Sequence, residues 1–199
     1  MGVLVDLYIA AIPETAMGTV CAPARQAQLE ATEKESLRRQ RYFVWKLLEY
    51  ALENSFGITS ENVAFSRDEN GKWHCKECFF SLSHCRDAVA VAVSRKPVGV
   101  DIECANRQVT PALSKKILTE AELAVYDSLP EERRGQFLLE AWCGKESLFK
   151  AHGGAVFTAR RWDTTQGVRT GMLNLDGKDF CYAVATENPT NLRIFSVAL

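Results

Sequence analysis

Two long helical patterns, each bordered by strand-like runs, limit what this chain can fold into. Apolar residues recur at helical spacing from about residue 33 to 54 and again from about 132 to 152. The order strand, helix, strands, then strand, helices, strands predicts an α+β fold of two similar halves related by pseudo-twofold symmetry. We expect each half to be a small, mostly antiparallel sheet packed on one long helix, with the halves at residues 1–97 and 98–199.

The composition excludes several classes of protein. The 199 residues carry 24 Lys and Arg against 25 Asp and Glu, and this net charge of −1 predicts no nucleic-acid or membrane partner. No apolar stretch approaches the roughly 18 residues of a membrane span. Seven cysteines, an odd number, and no export signal in the first residues predict a reduced, cytoplasmic protein without a disulfide framework. Because one chain would hold both halves, we expect a monomer.

Polar residues predict where three helices begin. Thr32-x-x-Glu35 and Thr119-x-x-Glu122 both have the spacing of a capping box. Thr110-Pro111 would place proline in the first turn of a further helix.

Valine-rich and aromatic runs predict the central strands. Residues 88–94 and 98–102 are separated only by a tight connection, so we expect these two strands to pair. Residues 73–83 follow a turn signal and are interpreted as a single strand.

Two acids lie close together in the segment Val98-Gly99-Val100-Asp101-Ile102-Glu103. In a strand, Asp101 and Glu103 point to one face, while Val100 and Ile102 point to the other. Adjacent carboxylates repel each other unless they lie in bulk water or share a cation, and Mg²⁺ prefers oxygen ligands of this kind. The pattern predicts either a magnesium site or a strand end that emerges into solvent.

Glu146 and Lys150 lie one turn apart on the second long helix. A carboxylate there can complete a metal site, while a lysine one turn on contacts the phosphate that the metal holds. The same spacing is also that of an ordinary ion pair on a helix surface.

Ser83 and His84 stand where a strand gives way to a turn. Both side chains can donate hydrogen bonds to a phosphate, and Arg41 and Lys72 would add positive charge. The alternative is a turn whose side chains satisfy their own backbone, with two solvated cations elsewhere.

Together, three motifs of this chain resemble the 4'-phosphopantetheinyl transferases of the surfactin-synthetase-activating (Sfp) type. Their order agrees with the family, and the element order extends the likeness over nearly the whole chain. The motifs are Phe80-Ser81-Leu82-Ser83-His84 (family F-N-L-S-H-S), Val98 to Glu103 (family I/V-G-I/V-D-I/V-E) and Trp142-Cys143-Gly144-Lys145-Glu146-Ser147-Leu148-Phe149-Lys150 (family W-x-x-K-E-A/S-x-x-K).

The resemblance implies a Mg²⁺-dependent enzyme. It would transfer the phosphopantetheine arm of coenzyme A to a serine of an apo acyl, peptidyl or aryl carrier protein and release 3',5'-ADP. Asp101, Glu103 and Glu146 would hold Mg²⁺ against the diphosphate. Lys150 would bind the phosphate beside it, and Glu146 and Lys150 would be the catalytic residues.

The resemblance also implies a binding site for the nucleotide end of coenzyme A. Ser83 and His84 would contact its 3'-phosphate, with help from Arg41 and Lys72. The sequence departs from the family at this end, where Ser81 replaces the usual asparagine, Cys85 the usual serine and Trp73 the common proline. The metal-binding acids match the family throughout.

The proton acceptor is left open among Glu146, Glu122 and a metal-bound water. A carboxylate bound to Mg²⁺ is a poor base. Glu122 matches a family acid near the metal, but its place in a capping box explains it equally well.

Two other functions compete with this one. Cys75-x-x-Cys78 has the spacing of a zinc knuckle, which predicts a zinc-stabilised interaction module. Against this, a continuous strand would send the two cysteines to opposite faces, and no second C-x-x-C pair occurs. The third possibility is a non-catalytic carrier-protein binder with the same fold.

Overall fold

The computed structural model describes residues 3–107, 111–165, 167–187 and 191–199, and within these ranges the chain mixes helices with several sheets. The α-helices are α1 (Pro23–Glu30), α2 (Glu35–Phe56), α3 (Ser114–Ile117), α4 (Glu120–Ser128) and α5 (Glu131–His152). The strands are β1 (Leu4–Ala11), β2 (Ser66–Arg67), β3 (Trp73–His74), β4 (Phe79–His84), β5 (Ala88–Ser94), β6 (Gly99–Cys104), β7 (Val168–Leu175), β8 (Lys178–Ala185) and β9 (Asn191–Ser196). The predicted α+β class is therefore confirmed.

The first sheet has the strand order β4-β5-β1-β9, and β2 and β3 form a separate hairpin. β1 runs antiparallel to β5 and parallel to β9. β9 therefore joins the first sheet although it lies at the other end of the chain. Arg193 of β9 donates to both carboxylate oxygens of buried Asp6 on β1, at 2.6 and 2.7 Å, which fixes this parallel pair.

The second sheet has the order β6-β8-β7, with both pairs antiparallel. Asp176 and Gly177 connect β7 to β8 with φ angles of 51° and 79°. Positive φ at both central residues is typical of the tight turn that the Asp-Gly pair predicts. Helix α5 packs on this sheet, as α2 packs on the first sheet.

The two sheets share a core, and the alternation in β5 explains how. Val89, Val91 and Val93 pack toward α2, whereas Ala88, Ala90 and Ala92 contact the apolar residues of the second sheet. Alternate residues of a strand point to opposite faces, so the larger side chains fill the space beneath the helix. The alanines let the second sheet approach closely. Both sheets contribute to one buried apolar cluster, in which the alanines lie with Val100, Ile102 and Val184.

Three of the local predictions are wrong. β5 and β6 do not pair, because β1 and β4 occupy both edges of β5 and β6 pairs with β8. Thr32 does not cap α2, since its hydroxyl donates to the Gln28 carbonyl and the N-cap residue is Lys34. Residues 73–83 form two strands, β3 and β4, with residues 75–78 outside both.

Two helix starts remain among the local predictions. The Thr119 capping box is confirmed, with both reciprocal hydrogen bonds present. Thr110 lies outside the described residues. The pseudo-twofold relation and the division at residue 97 remain predictions. Of the helices within the described ranges, none has the length and hydrophobicity of a membrane span.

Gly99 lets β6 lie directly against α5. A Cβ at this position would stand 1.8 Å from the Ser147 carbonyl oxygen and 2.6 Å from the Ala151 amide nitrogen. Both are backbone atoms of the helix, so a side chain cannot be accommodated by rotation of a neighbour.

We expect Gly99→Ala to lower the free energy of unfolding by about 1–3 kcal/mol, because β6 has to move away from α5. Urea titration measures this loss. Gly135→Ala is the matched control, since a Cβ there meets nothing within 4 Å. Equal stability of the two variants would contradict the packing argument.

Candidate functional site

The centre of the candidate site is an ion pair between β6 and α5. Lys150 Nζ donates to Asp101 Oδ1 at 2.7 Å and to the Val100 carbonyl at 3.1 Å. Ser83 of β4 donates its hydroxyl to the same Asp101 oxygen at 2.8 Å, and Lys150 lies 3.1 Å from that hydroxyl. Predicted site residues from both halves therefore meet at one carboxylate.

Two serines of β4 also connect the sheets through the backbone of β6. Ser81 Oγ accepts a hydrogen bond from the Val100 amide at 3.0 Å, and Ser83 Oγ accepts one from the Ile102 amide at 3.3 Å. Both serines are buried. Ser83, a predicted phosphate ligand, and Ser81 thus both hold β6 in position against β4.

The second oxygen of Asp101 is unsatisfied. Oδ2 is buried and has no hydrogen-bond partner among the described residues. Burial raises the pKa of Glu146 despite the opposing charge of Lys150, and the negative charge of Asp101 raises it further. The two carboxylates are therefore close enough to repel each other. A divalent cation would satisfy Asp101 Oδ2 and relieve the repulsion between the two carboxylates, so this donor set fits Mg²⁺.

The three predicted metal ligands, Asp101, Glu103 and Glu146, do not surround a common point in the structure. Within the described ranges, no three His, Cys, Asp or Glu side chains form a group that could hold a metal ion. Lys150 contacts Asp101, and Arg107 forms an ion pair with Glu103. For all three acids to bind one metal ion, Lys150 and Arg107 would have to leave their carboxylate partners. The three-acid magnesium site therefore stays a prediction.

His84 lies at the end of β4 among positive charges. Burial, together with the charges of Lys150, Arg25 and Arg41, lowers its pKa to about 4. A neutral imidazole surrounded by cations is a favourable place for an anion, because a phosphate would offset the repulsion among them. The predicted residues Arg41, His84 and Lys150 are thus brought within electrostatic reach of one another.

Arg25, Arg41 and His84 form a basic cluster, and Arg25 is the member that the sequence did not predict. It is only 4% exposed, and its guanidinium carbon lies 5.0 Å from the centre of the Trp45 ring and 5.9 Å from that of Trp73. Burial, together with the charges of Arg41 and Arg67, lowers its pKa to about 9. Pro23 at the first position of α1 is a sequence signal for the helix. No pattern in the neighbouring sequence predicts that the Arg25 guanidinium is buried between two tryptophan rings.

Lys72 lies on the wall of a cavity of about 310 Å³ between the β2–β3 hairpin and the end of α5. Its Nζ donates to the Lys150 carbonyl at 2.5 Å, which connects the hairpin to α5. Burial lowers the pKa of Lys72. Trp73, Phe80 and Phe149 also line the cavity, which therefore combines aromatic faces with cationic groups.

Glu122 is engaged in structural contacts. One carboxylate oxygen accepts from the Thr119 amide at 2.8 Å and from Lys145 Nζ at 2.6 Å. The other accepts from the Thr164 hydroxyl at 2.8 Å and from the Thr164 amide at 3.3 Å. Glu122 and Lys145 are both buried. Since both oxygens already accept hydrogen bonds, these contacts favour the capping role over that of a proton acceptor.

Cys75 and Cys78 lie in the connection between β3 and β4, with their sulfurs 3.9 Å apart. The expectation that they point to opposite faces of a strand is therefore wrong. No third His, Cys, Asp or Glu joins them in a metal-binding group within the described residues. A zinc knuckle is not favoured by this arrangement.

The low pKa of His84 gives a pH dependence of stability. The folded value of about 4 lies below the ordinary value of 6.5, so the unfolded chain binds more protons between these two pH values. Stability is expected to fall as the pH drops from 6.5 toward 4, by at most about 1.4 kcal/mol per pH unit from this residue. His84→Gln should flatten that part of the curve. Urea titrations of both proteins at several pH values, with exposed His74→Gln as the control, measure the difference. Parallel curves for wild type and His84→Gln would contradict the prediction.

Comparison with known proteins identifies a family model that matches part of the chain. Residues 97–189 match the sequence model of the 4'-phosphopantetheinyl transferase superfamily. This range contains β6 and α5, which carry Asp101, Glu103, Glu146 and Lys150.

Individual relatives agree with the superfamily match. The chain is 28% identical over 123 residues to the 4'-phosphopantetheinyl transferase psf-1 of Bacillus pumilus, covering 57% of this chain and 52% of that protein. It is 30% identical over 101 residues to the 4'-phosphopantetheinyl transferase gsp of Aneurinibacillus migulanus, covering 50% and 42%. A holo-acyl-carrier-protein synthase of Streptococcus pyogenes is 45% identical over 49 residues, covering 25% and 42%. The chain thus spans about half the length of the curated relatives it matches.

Proposed function

We propose that this chain, whose residues 97–189 match the sequence model of the 4'-phosphopantetheinyl transferase superfamily, transfers the 4'-phosphopantetheine arm of coenzyme A to a serine of an apo carrier protein. The proposed reaction depends on Mg²⁺ and releases 3',5'-ADP. The observation that carries the proposal is that Ser83, Asp101 and Lys150 meet where β4, β6 and α5 come together. One oxygen of Asp101 is buried there and has no hydrogen-bond partner in the part of the chain that the structure describes.

Substrate binding would use the basic cluster and the cavity beside it. Arg25 and Arg41 give neutral His84 a cationic environment suited to the 3'-phosphate of coenzyme A. The cavity lined by Lys72 and Trp73 would take the nucleotide. Lys150 stands between this basic cluster and the acids of the second half, where a diphosphate bound in the cleft would come within its reach.

The acids of the second half would hold the metal and take the proton. Asp101, Glu103 and Glu146 would be ligands to Mg²⁺, which supplies positive charge beside the diphosphate when it is bound. Glu146 is one candidate acceptor of the serine proton, since burial raises its pKa. A carboxylate bound to Mg²⁺ is a poor base, so a water at the metal is the other candidate.

The proposed reaction forms one bond to phosphorus and breaks another. The serine oxygen forms a bond to the phosphorus that carries pantetheine, and that phosphorus loses its bond to the bridging oxygen of the diphosphate. The serine proton goes to one of these two acceptors, and the bridging oxygen leaves with 3',5'-ADP. Lys150 lowers the repulsion between the attacking oxygen and the phosphate oxygens.

Intact-mass measurement tests this function. The protein is incubated with coenzyme A and a panel of apo acyl, peptidyl and aryl carrier proteins, with Mg²⁺ or with EDTA. We expect a carrier protein to gain the mass of one phosphopantetheine group in Mg²⁺ only. Binding of coenzyme A without transfer to any carrier would instead support the non-catalytic binder. Transfer that continues in EDTA would overturn the metal assignment.

A further inference from the structure

The cysteines of the C-x-x-C segment are placed for chemistry that the transferase reaction does not use. Cys75 and Cys78 lie in the β3–β4 connection, outside both strands, with a sulfur–sulfur distance of 3.9 Å. The Cys75 side chain is partly exposed, while Cys78 is 8% exposed. An accessible thiol next to a shielded one is the arrangement of an attacking and a resolving cysteine.

The surroundings of Cys75 favour its thiolate. The Cys78 thiol, with backbone hydrogen bonds at Cys78 and Glu77, lowers the pKa of Cys75 to about 7 in spite of partial burial. The hydrogen bond to Cys75, together with burial, raises the pKa of Cys78. The pair is therefore asymmetric, and Cys75 is the nucleophile at neutral pH.

A cavity of about 410 Å³ opens beside the pair. Both cysteines line it, together with the cationic side chains of Lys72, Lys76 and Arg95 and the acid Glu77. Three cations against one acid favour small molecules with negative charge.

We propose that Cys75 and Cys78 form a dithiol–disulfide site that exchanges with anionic low-molecular-weight disulfides. The Cys75 thiolate attacks one sulfur of the small disulfide, which breaks the S–S bond, forms a mixed disulfide on Cys75 and releases one thiolate. Cys78 loses its proton to solvent and attacks the Cys75 sulfur, which releases the second thiolate. The two cysteines are oxidised to one disulfide, and the small disulfide is reduced to two thiols after proton uptake.

Other cysteines provide internal comparisons. Cys21 is exposed and has no cysteine within sulfur contact among the described residues, so a mixed disulfide formed there cannot resolve within the chain. Cys85 and Cys104 lie closer than the proposed pair, at 3.6 Å, but burial raises the pKa of Cys85 to about 12. Proximity alone would favour oxidation of this second pair.

The experiment uses the full chain in buffers of reduced and oxidised glutathione, quenched with acid and digested with trypsin. Cleavage after Lys72, Lys76 and Arg86 separates the two cysteines into peptides 73–76 and 77–86. We expect these peptides to be joined by a disulfide, and fragmentation to assign the bond to Cys78 instead of Cys85. In Cys78→Ser, the glutathionyl group should remain on Cys75, as it does on Cys21 in both proteins. In Cys75→Ser, neither the adduct nor the linked peptides should form.

Three outcomes would overturn the proposal. One is a Cys75 mixed disulfide that persists in wild type as it does at Cys21. Another is preferential oxidation of Cys85 with Cys104. The third is peptide 73–76 remaining unmodified while Cys21 reacts. Thermal melting of each variant shows whether it is folded, and none of the readouts depends on transferase activity.

Discussion

The Asp101→Asn variant is expected to lose about 100- to 1000-fold in the rate of phosphopantetheine transfer, on the scale seen when one charge-stabilising group is removed from an active site. Asparagine keeps the size of the side chain and retains an oxygen that accepts from Ser83 and Lys150. It lacks the second negative oxygen, which in the wild type is buried and has no hydrogen-bond partner among the residues described in the structure. The loss should therefore fall on metal and diphosphate binding more than on folding.

Rates are measured by intact mass of the carrier protein, across a series of Mg²⁺ concentrations, after thermal melting has shown that the variant is folded. Asp179→Asn is the matched control, because it changes an exposed aspartate on β8 of the same sheet. We expect the control to transfer at the wild-type rate. If Asp101→Asn transfers normally at low Mg²⁺, or loses activity only in proportion to its unfolded fraction, the aspartate is structural.

The sequence predicted those parts of the fold that depend on short-range patterns. The helices α2 and α5 and the Thr119 capping box follow from periodicity and capping chemistry within a few residues. The pairing of β5 with β1 and of β9 with β1 could not be read in this way, because each depends on residues far apart in the chain. In β5 the proximity of residues 98–102 favoured the wrong partner.

For the candidate site, motifs identified the residues but gave no information on their contacts. Asp101 and Lys150 are 49 positions apart, and only the fold brings them to 2.7 Å. The sequence also suggested Ser83 as a phosphate ligand, whereas its hydroxyl bridges Asp101 and the β6 backbone. Arg25 was missed because its burial depends on Trp45 and Trp73, which belong to other elements.

The contacts of Lys145 are another feature that the motifs do not predict. Lys145 belongs to the same motif as its neighbour Glu146, but the motif predicts no contact for the lysine side chain. In the structure its side chain is 0% exposed and donates to Glu122 at 2.6 Å and to the Trp162 carbonyl. A charge is buried so deeply only where it is paired, and the pairing partner lies on another helix.

We expect Lys145→Met to lower the free energy of unfolding by about 3–5 kcal/mol, because the Glu122 carboxylate then stays buried without its cation. The double variant Glu122→Gln with Lys145→Met should recover most of that loss. Its neutral amide needs no counter-charge, and glutamine also serves at the third position of a capping box. Chemical denaturation of the single and double variants measures the coupling between the two residues.

The control for this cycle is Lys178→Met, which breaks the exposed ion pair with Asp87 and is expected to change stability little, because solvent screens the two charges. A Lys145→Met variant as stable as this control would show that the buried pair contributes nothing. A double variant no more stable than Lys145→Met would place the loss in packing around α5 instead of in the unpaired carboxylate. Both results would contradict the electrostatic argument, since it requires the cost to arise from Glu122 and to disappear when that side chain becomes neutral.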